Sequence, residues 1–302
     1  MRVMFFGTPE FALETLIALE KAHTITAVFT QPDRKKGRGH KYVHTPVKEY
    51  AISRGYDVYQ PEKISDFDLV DLIESTKTNV AVVVAYGQKI PKRFLCVPKY
   101  AFINVHASLL PKLRGAAPIE RCIIDGESET GITIMYMAEG MDTGDIGIQR
   151  EIALDDTITG GELTDKLSAM GAEMAVEFLD MVERGVAPRI PQDSNAATHA
   201  GKILKEDLGI DFDMDCNSAL NKIRAFAPSL GVKITINGVE SKVYRAKKVD
   251  IGEDPSSLGA ICSMDTKRLI VAFKDGWIEI EEIQPASKGR MSGAEFIRGY
   301  VL

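Results

Sequence analysis

The sequence contains few cysteines, and their spacing matches no metal site. Of the 302 residues only Cys96, Cys122, Cys216 and Cys262 are cysteines, and no two of them form a C-x-x-C pair. Cysteines scattered in this way are typical of free, mostly buried thiols in a reducing compartment. The pattern predicts a cytoplasmic protein without a metal centre.

The sequence also lacks any apolar run of about 18 residues, the length that a membrane-crossing helix needs. Its first residues, MRVMFFGTPEF, have neither the apolar stretch nor the cleavage site of a signal peptide and are typical of a first β-strand. We therefore expect no membrane partner. The formal net charge of −6 argues weakly against a nucleic-acid binder, although local basic clusters can still dock RNA.

Two common catalytic signatures are absent. The turn after the first strand contains only Gly7, so the G-x-G-x-x-G pattern of nicotinamide-dependent oxidoreductases is missing. No G-x-S-x-G elbow surrounds Ser108, which favours a structural loop hydroxyl over a nucleophile. The sequence thus disfavours both of these enzyme classes.

The first part of the chain alternates between strand and helix patterns. RVMFFG is a compact apolar strand, followed by a helix with Thr8 at its cap and Pro9 at its start. NVAVVVA, at residues 79–85, is the most apolar stretch and is typical of a central parallel strand buried on both faces. This alternation predicts an α/β domain with a mostly parallel sheet over residues 1–185.

The stretch at residues 101–147 carries the candidate chemistry. Asn104 and His106 lie two residues apart in a short strand and therefore share one face. A polar loop, GMDTGD, brings Asp142 and Asp145 after about one helix and one strand. An amide, an imidazole and a carboxylate can together hold a developing oxyanion and move a proton. A lone histidine is more often structural, and Asp145 is more typical of a turn residue.

The composition changes near the end of this domain. Two prolines and then small and polar residues predict a linker at residues 186–206. Farther on, Asn237-Gly238 between alternating strands predicts a hairpin, and more short strands follow it. We expect a small β-barrel domain over residues 207–302.

The motifs, in their order, resemble those of one enzyme family. GTPEFA, TQPDRKKGRGHK, VVVAYGQKIP, the Asn-x-His strand, SLLP, the DTGD turn and RAFAPS follow one another as in the formyltransferases that use 10-formyltetrahydrofolate, and in particular the methionyl-tRNA formyltransferases. The resemblance covers essentially the whole chain. It implies an N-terminal Rossmann-like, mostly parallel sheet with helices on both faces, and a C-terminal OB-like β-barrel domain that binds tRNA.

The resemblance also implies a reaction: transfer of a formyl group from 10-formyltetrahydrofolate to the α-amine of methionine on initiator tRNA. Asn104 would donate a hydrogen bond to the oxyanion, and His106 would help protons move. Asp142 would fix the tautomer and orientation of the imidazole. This chemistry needs no metal, and the family is usually monomeric.

Two sets of binding residues follow from the resemblance. Folate would lie against Gly87, Gln88, Lys89 and Ile90, and against Ser108, Leu109, Leu110 and Pro111. The acceptor end of tRNA would contact Arg34, Lys35, Lys36, Arg38 and Lys41 in a basic loop, together with Lys202 and Lys205. A plain connecting loop at residues 87–90 and a solvated, mobile basic loop are the alternatives that the residues themselves leave open.

Other functions share the same catalytic core. Related formyltransferases act on sugar nucleotides or on glycinamide ribonucleotide, and a related hydrolase domain acts on 10-formyltetrahydrofolate itself. The basic loop and the OB-like tail favour tRNA, while the intact Asn104, His106 and Asp142 disfavour a non-catalytic RNA-binding protein. Arg114, just past SLLPKL, would hold either a substrate group or a surface carboxylate.

Overall fold

The computed structural model describes residues 1–36, 41–255, 257–262 and 267–301. The chain forms two compact units, and each is assembled from separate stretches of sequence. The first contains Met1–Gly115, Thr130–Ile152 and Thr164–His199, and the second contains Ala116–Glu129, Ala153–Leu163 and the chain from Ala200 onward.

Helices and strands alternate through the first two thirds of the chain. In order they are β1 (Arg2–Gly7), α1 (Glu10–Ala22), β2 (Thr24–Phe29), β3 (Arg34–Lys36), β4 (Lys41–Val43), α2 (Pro46–Ser53), β5 (Val58–Tyr59), α3 (Leu69–Ser75), β6 (Val80–Val84), α4 (Lys92–Leu95), β7 (Ala101–His106), β8 (Arg114–Gly115), α5 (Pro118–Ile124), β9 (Glu129–Tyr136), β10 (Ile146–Ala153) and α6 (Gly160–Glu183).

Strands dominate the remainder. They are β11 (His199–Ala200), β12 (Val232–Ile236), β13 (Val239–Val249), β14 (Leu269–Phe273), β15 (Gly276–Pro285) and β16 (Met291–Ser292), with helices α7 (Cys216–Phe226) and α8 (Gly293–Tyr300). Single 3₁₀ turns occur at Ile64–Asp66, Ser194–Ala196 and Glu206–Leu208.

The first unit is built on a seven-stranded sheet in the order β10-β9-β7-β6-β1-β2-β5. The pairs β1/β2, β1/β6, β2/β5 and β6/β7 are parallel, while β7 and β9 are antiparallel. This confirms the predicted mostly parallel α/β sheet. Every residue of β6 is buried, as its apolar sequence predicts for a central strand. Because β6 and β7 run parallel, the loop after β6 and the residues after His106 emerge at the same edge of the sheet.

Aromatic side chains fill the core beside this edge. The Phe6 and Phe29 rings stack with centroids 4.5 Å apart, and the Tyr86 ring meets Phe6 edge-on at 5.4 Å. Such pairs stabilise the core by about 0.5–1.5 kcal/mol beyond the area they bury. The rings therefore fix the ends of β1, β2 and β6 relative to one another.

The prediction that Thr8 caps α1 is wrong. Pro9 occupies the N-cap position and no side chain caps the helix. The Thr8 hydroxyl instead donates to the Tyr86 carbonyl at 2.9 Å and accepts from the Gln31 backbone N–H at 3.3 Å. Thr8 therefore ties together the chain ends of three neighbouring strands, because those backbone groups lie within closer reach than the helix.

The second unit contains a five-stranded antiparallel sheet in the order β12-β13-β15-β14, with β16 paired to β15. The predicted Asn237-Gly238 turn joins β12 and β13, and both residues have positive φ, 50° and 76°. Positive φ at both central residues is what a tight type I′ hairpin turn requires. Asp215 caps α7 by accepting from the Ser218 N–H at 2.9 Å. Buried Phe226, Phe273 and Phe296 lie in the core of this unit.

The cysteines are mostly buried, as the sequence predicts. Cys122, Cys216 and Cys262 are buried, Cys96 is exposed, and none of these four described residues forms a disulfide. Within the described ranges no helix has the length and apolarity to cross a membrane, and no three His, Cys, Asp or Glu side chains cluster as metal ligands.

Candidate active site

His106 is the last residue of β7, and its side chain is 6% exposed. Its Nε2 lies 3.0 Å from the Leu113 carbonyl oxygen. Because a carbonyl oxygen can only accept, Nε2 carries a proton and donates it to this bond. In the neutral ring the lone pair is therefore on Nδ1. Sequence patterns do not reveal the Leu113 carbonyl, since any residue supplies one.

Asp142 faces the other ring nitrogen. Its Oδ2 lies 3.8 Å from His106 Nδ1, which is within ion-pair distance but too long for a hydrogen bond. The same oxygen accepts from the Gly115 backbone N–H at 2.8 Å. Among the described residues nothing donates to Oδ1. The carboxylate therefore presents one oxygen held in place and a second oxygen available to a substrate.

Asp142 also has an unusual backbone. It lies in the turn between β9 and β10 with φ of +54°, in the left-handed region that residues other than glycine rarely adopt. A residue in this region costs on the order of 1 kcal/mol and persists only where its surroundings hold it. The hydrogen bonds around this turn are therefore part of what places the carboxylate.

Asn104 lies two residues before His106, on the same face of β7. The strand position is fixed on both sides, by Val83 of β6 and Met135 of β9. Asn104 is half-buried, and within the described part of the chain its side-chain amide makes no hydrogen bond. Its N–H donors are thus available to an oxygen of a bound molecule.

A short segment, residues 113–115, holds several of these groups at once. The Leu113 carbonyl accepts from His106, and the Gly115 N–H donates to Asp142. The segment is itself anchored to Thr198, whose hydroxyl accepts from the Leu113 N–H at 2.8 Å and whose carbonyl accepts from the Arg114 N–H at 2.9 Å. We call it the 113–115 segment.

Within the described residues Arg114 does not pair with a surface carboxylate, one of the two partners expected for it. It is 6% exposed, and its Nε and one terminal nitrogen donate to the Gln192 side-chain oxygen at 3.1 and 2.8 Å. Asp145, predicted to be a turn residue, lies between the Asp142 turn and β10: its carbonyl accepts from the Tyr136 N–H, and its carboxylate lies 3.7 Å from Arg189.

The loop at residues 87–90 follows β6 at the same sheet edge. The Gln88 side chain is used within the protein, because its oxygen accepts from the Ile64 N–H at 2.7 Å and its nitrogen donates to the Pro61 carbonyl at 3.1 Å. Ile90 is buried in the core, whereas Gly87 and Lys89 are exposed. In the described structure the backbone N–H groups of this loop have no protein acceptor, so they can donate to a ligand.

The SLLP segment is mostly internal. Ser108 is fully buried and its hydroxyl donates to the Lys112 carbonyl at 2.7 Å. Leu110 is buried, and its N–H and carbonyl bond to Thr133 and Gln149. Leu109 and Pro111 are partly exposed. Of the four predicted folate contacts in this segment, these last two have the side chains that a ligand can reach.

The basic stretch contains a small hairpin. β3 and β4 pair antiparallel, with Lys35 opposite Tyr42 and Lys36 opposite Lys41. Arg34 is exposed, and Arg38 lies outside the described residues. In the second unit, Lys202 and Lys205 are exposed next to an ion pair between Arg121 and Asp207 at 2.8 Å.

Asp33 anchors the base of this hairpin. Its carboxylate accepts from Lys48 Nζ at 2.5 Å, from Gln60 at 2.9 Å and from His44 Nδ1 at 2.8 Å. Burial by itself would raise the pKa of Asp33, but the hydrogen bonds from Lys48, Gln60 and His44 outweigh it and lower the pKa to about 2. The carboxylate is therefore ionised at neutral pH and fixes where the basic hairpin leaves the sheet.

Two protein-family models match most of the chain. Residues 1–179 match the family described as formyl transferase, and residues 202–301 match the formyl transferase C-terminal domain. The chain belongs to the formyl transferase family. It is therefore an enzyme of the formyl-transferring kind, and the predicted resemblance is confirmed.

Individual relatives are similar over nearly their full length. A methionyl-tRNA formyltransferase of Pelotomaculum thermopropionicum is 42% identical over 99% of this chain and 96% of its own, and one of Clostridioides difficile is 43% identical over 99% and 97%. The crystal structure of HypX from Aquifex aeolicus with tetrahydrofolic acid has a TM-score of 0.66 at 17% identity. This chain is covered completely but spans only 47% of HypX, so that likeness concerns the fold.

Proposed function

We propose that this formyl transferase formylates the α-amine of methionine carried on initiator tRNA, with 10-formyltetrahydrofolate as the donor. The observation that carries the proposal is the sequence identity of 42–43% with two methionyl-tRNA formyltransferases over almost the whole of each chain. A structural neighbour that binds tetrahydrofolic acid supports a folate-type donor. The product is N-formylmethionyl-tRNA, the form used to start translation.

Asn104 stabilises the charge that develops on the formyl oxygen. When the neutral methionyl amine attacks the formyl carbon, the C=O bond becomes a C–O⁻ bond in a tetrahedral intermediate. The side-chain N–H groups of Asn104 have no partner among the described residues and lie at the sheet edge beside His106. Removal of one such donor typically costs about 10²–10³ in rate.

His106 and Asp142 handle the protons. The attacking nitrogen must lose a proton, and N10 of the folate must leave with one. Because Nε2 is committed to the Leu113 carbonyl, Nδ1 is the ring nitrogen that takes up a proton, and the Asp142 carboxylate at 3.8 Å stabilises the resulting imidazolium. The unpartnered Oδ1 of Asp142 is a second acceptor for the substrate amine. These groups supply the chemistry without a metal.

The binding assignments complete the proposal. The pterin of the folate bonds to the N–H groups at residues 87–90, and the partly exposed Leu109 and Pro111 flank it. We assign residues 1–185 to catalysis, 186–206 to a linker and 207–302 to tRNA binding, together with the basic hairpin. Phosphate contacts from these lysines and arginines add affinity without reading sequence. We expect a monomer in the cytoplasm, where initiator tRNA is charged.

A formylation assay tests this function. Purified protein is incubated with 10-formyltetrahydrofolate and methionyl initiator tRNA, and the amino acid released from the tRNA is analysed by mass spectrometry. We expect formylmethionine, and none with His106→Ala at equal protein concentration and an unchanged melting temperature. Formyl groups lost to water, or transferred only to a sugar nucleotide, would overturn the proposed acceptor.

A further inference from the structure

Gln192 hydrogen-bonds both to the turn that carries Asp142 and to Arg114 in the 113–115 segment. It lies in the stretch that composition marks as a linker, yet its side chain is half-buried and every polar atom of its amide is bonded. Its Nε2 donates to the Asp142 carbonyl at 2.9 Å and to the Gly144 carbonyl at 2.7 Å. Its Oε1 accepts two hydrogen bonds from Arg114. An amide offers two protons and one strongly accepting oxygen, and all are used here.

The backbone that presents Gln192 is itself fixed. Two residues earlier, Ile190 and Ile146 exchange backbone hydrogen bonds of 2.9 and 2.8 Å. Ile146 is the first residue of β10 and follows the Asp142 turn directly. The backbone near Gln192 therefore cannot move away from the turn without breaking a pairing at the base of the same turn. This pairing holds Gln192 next to the Asp142 turn.

Gln192 holds the part of Asp142 that its carboxylate contacts do not reach. The Gly115 N–H fixes the carboxylate, whereas Gln192 fixes the carbonyl of the same residue, whose φ is +54°. A left-handed backbone outside glycine is retained only where neighbours over-determine it. Arg114 and Gly115 both belong to the 113–115 segment. The turn is therefore bonded to this segment in two ways: directly through the Gly115 N–H, and indirectly through Gln192 and Arg114.

His106 is also bonded to the 113–115 segment, because its Nε2 donates to the Leu113 carbonyl. The separation of 3.8 Å between Nδ1 and Oδ2 is thus set by two paths that both start from the 113–115 segment. We propose that Gln192 is a positioning residue, which fixes the Asp142 carboxylate opposite His106 Nδ1 through its bonds to Arg114 and to the turn. The kinetic part of this inference rests on the proposed function.

Gln192→Glu is the sharpest perturbation. Glutamate keeps the shape and can still accept from Arg114, but it has no protons to donate to the Asp142 and Gly144 carbonyls. Its charge would push those carbonyls away, so the turn shifts. A displacement of about 1 Å near reacting groups can cost on the order of 10²-fold in rate. We expect kcat to fall by about 10–100-fold while KM for folate and for tRNA stays within about twofold.

The control variant changes a different side-chain amide whose oxygen also accepts two hydrogen bonds from one arginine. Asn221 in α7 accepts from Arg224 Nε and a terminal nitrogen at 3.1 and 3.0 Å. Asn221→Asp keeps that fork, as Gln192→Glu keeps its own, and we expect unchanged kcat. The control separates an effect at the Asp142 turn from the general effect of adding one negative charge.

A double-mutant cycle tests whether Gln192 acts through Asp142. If it does, Gln192→Glu changes kcat by less than about twofold in an Asp142→Asn background, because the group that it positions is already gone. If the full loss remains in that background, Gln192 acts on something else and the proposal is overturned. Wild-type kcat in the single variant overturns it as well.

The closing measurement needs no turnover. Ring ¹⁵N resonances of His106 are recorded in the free protein labelled with ¹⁵N-histidine and assigned with His106→Ala. We expect Gln192→Glu, or Gln192→Ala should the first variant not fold, to move them in the same direction as Asp142→Asn, with no change in Asn221→Asp. Unmoved resonances overturn the inference. A wild-type protein that fails to formylate methionyl-tRNA overturns only the proposed function.

Discussion

Substitution of Gly144 by alanine is expected to displace the turn that carries Asp142. A Cβ atom added to Gly144 would lie 1.7 Å from the Tyr136 carbonyl oxygen and 2.9 Å from its carbon, whereas real Cβ atoms essentially never come closer than 3.0 Å. The obstacle is backbone of β9, so no side-chain rotation relieves it. Either the turn or the strand must move by about 1.3 Å.

The surrounding bonds decide which part moves. The carbonyl of Asp145 accepts from the Tyr136 N–H at 2.9 Å, and the carbonyl of Gly144 accepts from Gln192 at 2.7 Å. β9 is held by the sheet, so the turn shifts and loses one or both of these bonds. Crowding of this kind typically costs about 1–3 kcal/mol of the free energy of unfolding. A shift of about 1 Å at the carboxylate costs on the order of 10²-fold in the rate of formyl transfer.

The rate of formyl transfer to methionyl-tRNA, measured well below the melting temperature of the variant, checks this prediction. Gly140→Ala is the control within the same turn: the three atoms nearest to its added Cβ all belong to the side chain of Thr143, the closest at 2.4 Å, and Thr143 is exposed, so its hydroxyl and methyl groups can rotate outward. We expect the control to keep its activity within a few-fold. A folded Gly144→Ala protein with more than about a third of wild-type kcat/KM would refute the view that this turn places Asp142 rigidly.

Three further predictions concern Asp142 itself, Asp33 and Gly238. Asp142→Asn should keep the melting temperature, because the amide oxygen still accepts from Gly115, yet lose about 10²-fold or more in kcat; near wild-type turnover would exclude the role of Asp142. For Asp33 the folded pKa of about 2 lies below the ordinary 3.8, so the carboxylate stabilises the fold above pH 3.8 and this contribution is lost as the pH falls towards 2. Urea denaturation should therefore show Asp33→Asn less stable than wild type by about 1–2 kcal/mol at pH 7, with the gap closing near pH 2; a gap that does not change with pH would contradict the ion-pair explanation. Gly238→Ala meets no neighbouring atom but has φ of +76°, so we expect about 1 kcal/mol lower stability with unchanged kcat, and no loss of stability would argue against a left-handed turn.

Local signals were sufficient where the structure depends on neighbours in sequence. Asn237-Gly238 predicts its hairpin because the turn itself demands positive φ at two successive residues, and these residue types tolerate it. The buried β6 follows in the same way from an unbroken apolar run. The cap predicted at Thr8 is wrong, because a hydroxyl just before a helix is typical of an N-cap in sequence. Only the fold shows that the Tyr86 carbonyl lies within its reach.

The candidate site shows the opposite limit. Asn104, His106 and Asp142 emerge from the sequence because their motifs occur in the order of a known family. The Leu113 carbonyl cannot be predicted in this way, since a backbone group has no residue type. Gln192 was hidden for a different reason: prolines and small polar residues around it are typical of a linker, and only the three-dimensional path brings it to Asp142.

The sequence predicts a loop for the basic stretch, whereas the structure contains the β3/β4 hairpin there. A run of lysines and arginines is compatible with a solvated loop and with a two-stranded ribbon alike. The signal that distinguishes the two lies partly outside the stretch, in Lys48 and Gln60, which hold Asp33 at its base. Charge patterning along the chain does not report partners that arrive from another helix or loop.

The interrupted second unit has a consequence for how the chain emerges from the ribosome. Helix α5 belongs to that unit, where Cys122 and Ile123 are buried and Ile124 packs against the core that includes α7. About 90 residues separate α5 from α7, and at roughly 5–20 residues per second the ribosome needs several seconds to make them. During that interval the apolar side chains of α5 lack the packing partners that α7 and the later strands supply. A nascent or truncated chain ending before α7 is therefore the form most exposed to chaperones and proteases.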